Sequence, residues 1–480
     1  VALTEDMRPD RILVIDLDGT LIRSDMLFET FWSAFSARWT APFVVTKSLL
    51  NGRAALKHRL NELAQVDPAS LPYNDEVLDY IRRWKDEGGR TALVTATNQA
   101  IADRVADHIG LFDEVHGSDQ SHNLKGPNKA TFLEQRFGVG GFEYMGDSTA
   151  DVPVWQKSGK AITVNAPGAL RTRVDAMMNE VEHISAAAPS VRPYFKALRP
   201  HQWLKNLLVF LPMLMAHDFT GAMVLRSFLA FLAFSLVASS VYVLNDLLDL
   251  AADRAHPRKR FRPFASGSLP IANGTWLAPL LLLGGFGLAL LLGPSFMLVM
   301  AVYYVTTTAY SLYLKRQLVI DICTLAVLYA LRIIAGGAAT GIELSVWLLA
   351  FSVFFFFSLA AVKRQAELVD SASRGKASAD GRGYQTSDLP LISTMAAAAG
   401  YVSVLVMALY VNSSSVTALY TSPTYLWGIC LVLLYWISRI VMITHRGAMH
   451  DDPVVFAVKD RVSQICLVII FLISATGAMS

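Results

Sequence analysis

The chain has 480 residues, 53% of them hydrophobic and 17% charged, with a net charge of +3. That balance is too apolar for an ordinary soluble protein. The net charge says little in total, its placement more, and no nucleic-acid partner is expected.

The apolar residues are unevenly placed. Val1 to about Pro193 has the composition of a soluble domain, whereas from about Trp203 long apolar runs alternate with short polar loops. Two domains are expected, a soluble α/β domain over 1–190 and a membrane-embedded helical one over 191–480.

In chain order, Arg11-Ile12-Leu13-Val14-Ile15 suits a buried parallel strand, and so an element of a fold rather than a cleavable leader. It ends in Asp16-Leu17-Asp18-Gly19-Thr20-Leu21. Two carboxylates at alternate positions past a strand end offer one as an in-line nucleophile and the other as an acid/base for the leaving group. A second strand, Thr91-Ala92-Leu93-Val94, ends at Thr95, whose hydroxyl is suited to a phosphate oxygen. A third, Phe142-Glu143-Tyr144-Met145, ends in Gly146-Asp147-Ser148-Thr149-Ala150-Asp151. All three clusters fall at strand C-termini, where open α/β sheets put their ligands.

This motif set, DxDGT, a Thr-ended strand and GDxxxD in that order, resembles the haloacid dehalogenase-like phosphatases over about Arg11 to Asn165. The resemblance implies a Rossmann-like fold in which Asp16 forms an aspartyl-phosphate and Asp18 protonates the leaving alcohol. It further implies that Thr95 orients the phosphoryl group, and that Asp147, supported by Asp151, completes a Mg²⁺ site with Asp16 and Asp18. The family also needs a lysine on the phosphoryl oxygens; Lys125 and Lys129 both fit, and Lys125 is preferred. About 75 residues separate Asp18 from Thr95 and read largely as helix, which suggests a cap over the cleft.

The stretch Arg192 to Asn206 is basic and aromatic, as befits a segment at headgroup level. Beyond it, the roughly 20-residue criterion gives about nine spans, near 203–217, 224–245, 275–292, 295–313, 319–337, 345–362, 392–411, 424–443 and 463–479. Lys and Arg gather before span one and after spans two, four, six and eight. The soluble domain and those loops are therefore expected on the cytoplasmic side of a bacterial inner membrane. Cys323, Cys430 and Cys466 lie within spans without paired spacing and read as small buried residues.

Where span two runs out stands Asn245-Asp246-Leu247-Leu248-Asp249-Leu250-Ala251-Ala252-Asp253, followed by Arg258-Lys259-Arg260 and Arg262. Asp249 and Asp253 are four apart, with Asn245 one turn earlier, so a helix puts three oxygen-bearing side chains on one stripe. That suits Mg²⁺, a hard cation that brings substrate phosphates with it, and the basic cluster offers its charge to the same phosphates. Tyr310 and Lys315, at the end of span four, either reach those phosphates or anchor their helix at the interface. Asp321 and Arg332 are costly in hydrocarbon and are expected to face the bundle interior; whether they pair with each other is open.

The acidic motif and the run of spans resemble the UbiA superfamily of intramembrane prenyltransferases from about Tyr194 onward. Members that prenylate an aromatic ring carry a second DxxxD after span six. Here that loop reads Lys363-Arg364-Gln365-Ala366-Glu367-Leu368-Val369-Asp370. One acidic, metal-binding half and one basic half suit two different phosphate ligands, a diphosphate on Mg²⁺ and a monophosphate on Lys and Arg.

The pattern is similar to the decaprenyl-phosphate phosphoribosyltransferase branch, as are Gln202-Trp203-Leu204-Lys205-Asn206, His256-Pro257 after Asp253, Arg262-Pro263, Arg382-Gly383-Tyr384, and Asp451-Asp452-Pro453-Val454-Val455-Phe456 with Asp460-Arg461. The resemblance implies phosphoribosyl pyrophosphate and a polyprenyl phosphate as substrates. Asn245, Asp246, Asp249 and Asp253 then hold Mg²⁺ and pyrophosphate, with Lys259 and Arg262 nearby. Lys205, Lys363 and Arg364 present the lipid phosphate, and Lys315, Glu367 and Tyr384 complete the binding set. The two halves together are expected to make the phosphoribosyl lipid and then dephosphorylate it. An aromatic prenyltransferase using Glu367 and Asp370 as a second metal site, a membrane-anchored phosphatase and a scaffold are the alternatives.

Overall fold

The computed structural model describes residues 11–479 except 39, 41–59, 61–62, 65, 120–122, 185–189, 379–381, 414–415, 417–419, 421 and 450–451. Asp451 and residues 379–381, just before Arg382, lie outside the described residues. The chain forms two compact units, Val1–Leu198 with Val243–Leu277, and Arg199–Tyr242 with Ala278–Ser480. The first unit thus takes in the acidic motif as well as the soluble segment.

The first unit is built on six parallel strands: β1 (Ile12–Ile15), β2 (Thr91–Asn98), β3 (Glu114–Ser118), β4 (Phe142–Gly146), β5 (Lys160–Val164) and β6 (Val181–Ile184), in the order β3-β2-β1-β4-β5-β6. β1 pairs on one side with β2 (Leu13 to Thr91) and on the other with β4 (Ile12 to Phe142). The chain leaves β1 toward both neighbours, so a crevice opens beyond its C-terminal end.

The strand's apolar run is explained by burial on both faces. Leu13 and Ile15 pack with one cluster and Ile12 and Val14 with the other. Around the sheet lie helices α1 (Met26–Ala37), α2 (Asp75–Asp86), α3 (Gln99–Ile109) and α4 (Pro127–Phe137). In α2, Val77, Ile81 and Trp84 recur at helical spacing and are buried with Leu13, Ile15 and Leu93. Burying such side chains is worth about 1.5–3 kcal/mol each. The stretch read as a cap therefore gives part of its length to the sheet core.

From Gly221 onward the α-helices among the described residues are α5 (Gly221–Leu248), α6 (Leu250–Ala255), α7 (Ile271–Leu292), α8 (Pro294–Leu312), α9 (Ile320–Thr340), α10 (Val346–Ser373), α11 (Leu389–Val411), α12 (Trp427–His445), α13 (Pro453–Lys459) and α14 (Arg461–Met479). Seven helices among the described residues are long and apolar enough to cross a membrane, from α5 and α7 through α12. The expected nine is not reached. The first expected span is a 3-10 stretch, Pro200–Phe210, followed by the short helix Leu211–Met215 with Pro212 in its first turn. The last, Arg461–Gly477, is a shorter apolar helix.

Outward-facing leucines such as Leu283, Leu291, Leu298 and Leu431 give these helices a hydrocarbon-compatible surface. Small residues let them approach inside. Ser358 donates to Ala396 O at 2.7 Å, and a Cβ on Gly400 would stand 2.5 Å from Ile437. The cysteines are unpaired; Cys430 and Cys466 are buried as expected, but Cys323 lies on the exposed side of α9.

Candidate active sites

In the first unit, β1 delivers Asp16 to the crevice, where Lys129 Nζ stands 2.8 Å from Asp16 Oδ1 and the Leu17 N–H donates to the same oxygen at 2.8 Å. Lys129 comes from the first turn of α4, next to Pro127. Its ammonium also donates to Tyr144 OH at 2.9 Å, and that hydroxyl donates to Asp151 Oδ1 at 2.8 Å. The other Asp151 oxygen accepts from Ser148 N and Oγ. Asp16, Asp147 and Asp151 offer carboxylate oxygens within 4.8 Å of one another. Gly19, at φ +75°, lies so close that any Cβ there would overlap the Asp147 carboxylate.

Asp18 is oriented differently. Its carboxylate accepts from Met26 N at 2.7 Å, at the start of α1, and from Thr97 Oγ1 at 3.0 Å, and it is not one of the three converging ligands. Thr95 is fully buried, and its hydroxyl accepts the Thr97 N–H at 3.0 Å. Lys125 is exposed and lines the cleft, so Lys129, not the preferred Lys125, is the lysine that meets Asp16. The helix start at Pro127 decides this, because it turns position 129 inward and leaves 125 in the preceding bend.

Burial first, and neighbouring carboxylates second, explain the titration of the cluster. Burial pushes Asp16 up to about 6, with Lys129 opposing and Asp151 adding to the rise. Burial, Asp25 and Asp16 push Asp18 up to about 7. Burial with Asp151, Asp16 and Asp18 pushes Asp147 up to about 8. Buried carboxylates that also face one another resist ionisation, a divalent cation relieves them, and an all-oxygen donor set suits Mg²⁺. Asp16, Asp147 and Asp151 fit such an ion.

The acidic motif lies in the same unit. α5 carries Asn245 and Asp246 in its last turn, the helix breaks at Asp249, and α6 carries Asp253. The turn spacing survives the break, since Asp249 N donates to Asn245 O and Asp253 N to Asp249 O. Asp246 and Asp253 are both buried and share Arg262 Nη1, at 3.2 and 2.6 Å. Burial raises the Asp253 carboxyl, with Arg262 opposing. Asn245 and Asp249 are half-buried and Lys259 is exposed. Among the described residues these carboxylates do not converge as Asp16, Asp147 and Asp151 do.

The second unit holds a linked set of cations and acids. Lys205 Nζ and Lys363 Nζ share Asp452 Oδ2 at 2.8 and 3.1 Å, and Tyr329 OH donates to Asp452 Oδ1 at 3.2 Å. Burial would raise the Asp452 carboxyl, but the two ammoniums hold it well below the usual carboxylate range. Arg364 Nε pairs with Asp321 Oδ2 at 2.8 Å, both fully buried, and Arg364 Nη1 pairs with Glu367. Arg382 lies 3.4 Å from Asp321 and 3.8 Å from Glu367, while Arg374 pairs with Asp370 at 3.0 Å.

Asp321 and Arg332 do not pair with each other. Arg332 donates to Asn206 Oδ1 and Tyr303 OH. Tyr310 donates to Asp321 at 2.8 Å, and Tyr384, nearly fully buried, accepts the Val319 N–H at 3.0 Å. Lys315 is half-buried in the turn Leu314–Arg316. Sequence reasoning missed Thr97, Tyr144 and the role of Asp452. Asp452 precedes Pro453 and accepts the Val454 N–H, so it reads as a helix cap.

A parallel α/β unit with aspartates at its strand ends, in a chain with seven membrane-length helices, defines a multi-pass membrane enzyme that carries a hydrolase domain. Residues 13–156 match the haloacid dehalogenase-like hydrolases and residues 207–473 match the UbiA prenyltransferase family. The chain belongs to the UbiA prenyltransferase family, with a haloacid dehalogenase-like domain ahead of the matching region.

It is 40% identical over 459 residues to the uncharacterized protein y4nM of Sinorhizobium fredii, covering 94% of this chain and 88% of that one. It is 39% identical over 275 residues to the nodulation protein NoeC of Azorhizobium caulinodans, covering 57% of this chain and 89% of the relative. With the decaprenyl-phosphate phosphoribosyltransferase of Mycolicibacterium smegmatis it shares 35% identity over 298 residues, 60% of this chain and 93% of that one.

Proposed function

We propose that the protein is a bifunctional enzyme of a bacterial inner membrane. It transfers 5-phosphoribose from phosphoribosyl pyrophosphate to a polyprenyl phosphate of the decaprenyl type, and its hydrolase domain then removes the 5-phosphate from the lipid. The hydrolase domain and the Lys/Arg-rich loops lie on the cytoplasmic side. The observation that carries this reading is the state of α10's polar C-terminal turns, where the expected loop 363–370 is helical. Its two acids are already claimed, Glu367 by Arg364 and Arg382 and Asp370 by Arg374. A second metal site for a prenyl diphosphate would have to displace arginines. The neighbouring Lys205, Lys363 and Arg364 instead suit an anionic lipid phosphate. The buried Arg364 Nη2 has no hydrogen-bond partner among the described residues and fits a phosphate oxygen. The similarity to a decaprenyl-phosphate phosphoribosyltransferase supports the same donor and acceptor.

In the transfer step a lipid phosphate oxygen attacks the anomeric carbon, the bond from that carbon to pyrophosphate breaks, and the configuration inverts. The attacking oxygen is already anionic, so no general base is required. Stabilising the departing pyrophosphate is the main electrostatic demand. Asn245, Asp246, Asp249 and Asp253 are the candidates for holding Mg²⁺ with that pyrophosphate, beside Arg262 and Lys259.

In the hydrolytic step Asp16 attacks phosphorus and the bond to the ribose oxygen breaks. Asp18 gives that oxygen a proton, which a carboxyl pushed up to about 7 still carries near neutrality. Water then cleaves the aspartyl-phosphate, returning a proton to Asp18 and releasing phosphate. Lys129 orients Asp16 and faces the transferring oxygens, and Mg²⁺ on Asp16, Asp147 and Asp151 would neutralise charge on the phosphoryl group.

The test supplies labelled phosphoribosyl pyrophosphate, polyprenyl phosphate and Mg²⁺ to the purified full chain and separates the lipids. Wild type is expected to yield the ribosyl lipid and Asp16→Asn to stop at the phosphorylated lipid. A single phosphorylated product in both refutes the coupled step, and label entering an aromatic acid from a prenyl diphosphate refutes the donor.

A further inference from the structure

The hydrolase cleft has a wall that the hydrolase family match does not contain. The cleft measures about 760 Å³ and holds Asp16, Asp18, Lys129 and Asp147; its lining also includes Gly267, Ser268, Pro270, Ile271 and Ala272. These five residues follow the acidic motif, and Ile271 begins α7, a helix long and apolar enough to span a membrane. We propose that Gly267–Ala272 is the specificity wall of the phosphatase. In this role it selects phosphate monoesters of sugars anchored to the membrane over soluble sugar phosphates. The proposal rests on the phosphatase half of the reading above and names the element that chooses its substrate.

The wall is held in place rather than draped over the opening. Gly267 sits at φ +70°, and a Cβ there would come within 2.6 Å of Arg23 Cβ and 2.8 Å of Arg23 O, so the chain presses on the loop just past Asp18. Upstream, Arg254 makes a two-pronged pair with Glu29 of α1, at 2.6 and 3.0 Å, and both side chains are buried. Arg254 Nε also donates to Ala265 O, two residues before Gly267. Downstream, Trp32 Nε1 of α1 donates to Thr275 Oγ1 at 2.9 Å. The segment is therefore fastened to α1 both before and after the wall, and the N-terminus of α1 itself holds Asp18.

A volume of this order exceeds what a phosphate alone needs and lies in the range that small-ligand clefts occupy. An ester bound at Asp16 leaves room for a pentose and for what the pentose carries, bordered by Ser268 and Ala272. Ile271 of the same wall is the first residue of α7. On that helix Trp276, 69% exposed, suits the headgroup level. A substrate whose far end is a lipid can be anchored beside α7, whereas a free sugar phosphate gains nothing from it.

The test adds preformed substrate to the full chain, so the transferase step plays no part. One probe is a farnesyl-phosphoryl ribose 5-phosphate in phosphatidylcholine vesicles, and the other is ribose 5-phosphate. Wild type is expected to favour the vesicle-borne ester in kcat/KM. Ala272→Trp and, independently, Ser268→Trp are expected to cut that selectivity ratio by about tenfold or more, chiefly through KM of the lipid probe. A ratio within about twofold of wild type in either folded variant overturns the wall's role, as does a wild type that hydrolyses both probes equally well. A variant that loses the cooperative melt of wild type is replaced by the other. Failure to form the phosphoribosyl lipid from phosphoribosyl pyrophosphate would count against the transferase reading alone and leave this comparison intact.

Discussion

Replacing Arg254 with Met leaves the Glu29 carboxylate enclosed in protein without its partner. Glu29 is 4% exposed, and its oxygens accept both Arg254 prongs and the Ser24 hydroxyl at 2.6 Å. Breaking a buried pair from one side costs about 3–5 kcal/mol. Ser24 remains to satisfy one oxygen, so the low end, about 3 kcal/mol, is expected, roughly two orders of magnitude in the folded-to-unfolded ratio. Adding Glu29→Leu removes the stranded charge, and the double variant should recover most of the loss.

Equilibrium unfolding of the full chain in detergent, read by near-ultraviolet circular dichroism, measures the cost. Trp32, one turn along α1 and bonded to Thr275, reports local loosening. If Arg254→Met costs no more than the about 0–1 kcal/mol of a surface pair, or if the double variant is as damaged as the two singles summed, the pair is not the clamp described.

Lys129→Met should lower phosphatase kcat by about a hundredfold or more, as expected when a charged donor at a reacting centre is removed, and Lys125→Met by much less; equal losses would return the choice to Lys125. Gly19→Ala should abolish phosphatase activity while transferase activity persists, since both the positive φ and the Asp147 carboxylate exclude a Cβ. Metal dependence should vary with pH. Asp16, Asp18 and Asp147 titrate at about 6, 7 and 8 in the folded chain, above their ordinary value near 4, so the folded state holds protons the unfolded state has released. Without divalent cation, stability should therefore fall as pH rises from about 4 through about 8. Mg²⁺ should raise the melting temperature more at pH 8 than at pH 6. An equal rise at both values would mean that these carboxylates are not where the ion binds.

Asp16 and Asp147 were legible because each follows an apolar strand, and strand ends converge whatever the intervening chain does, whereas the strand expected to stop at Thr95 runs on to Asn98. β3 and β6 were not legible, because Glu114-Val115-His116-Gly117-Ser118 and Val181-Glu182-His183-Ile184 lie toward the sheet edges and carry no continuous apolar run. The choice between Lys125 and Lys129 turned on where α4 starts, a boundary that spacing alone does not set. Partners in the membrane half were harder still. Asp321 and Arg332 sit on one helix, yet each is satisfied from another, Asp321 by Arg364 of α10 and Arg332 by Asn206. Periodicity tells which face a residue occupies, not which neighbour fills the space opposite.

Val243–Leu277 belongs to the first unit while Arg199–Tyr242 belongs to the second. Arg254 and the Gly267–Ala272 wall are therefore synthesised only after most of α5, and the Glu29 pair forms later than the strands that carry Asp16 and Asp147. The same interleaving bears on chimeras. A graft with breakpoints at Leu198 alone would separate Glu29 from Arg254, whereas a donor segment that also carries Val243 to Leu277 would transplant the unit whole.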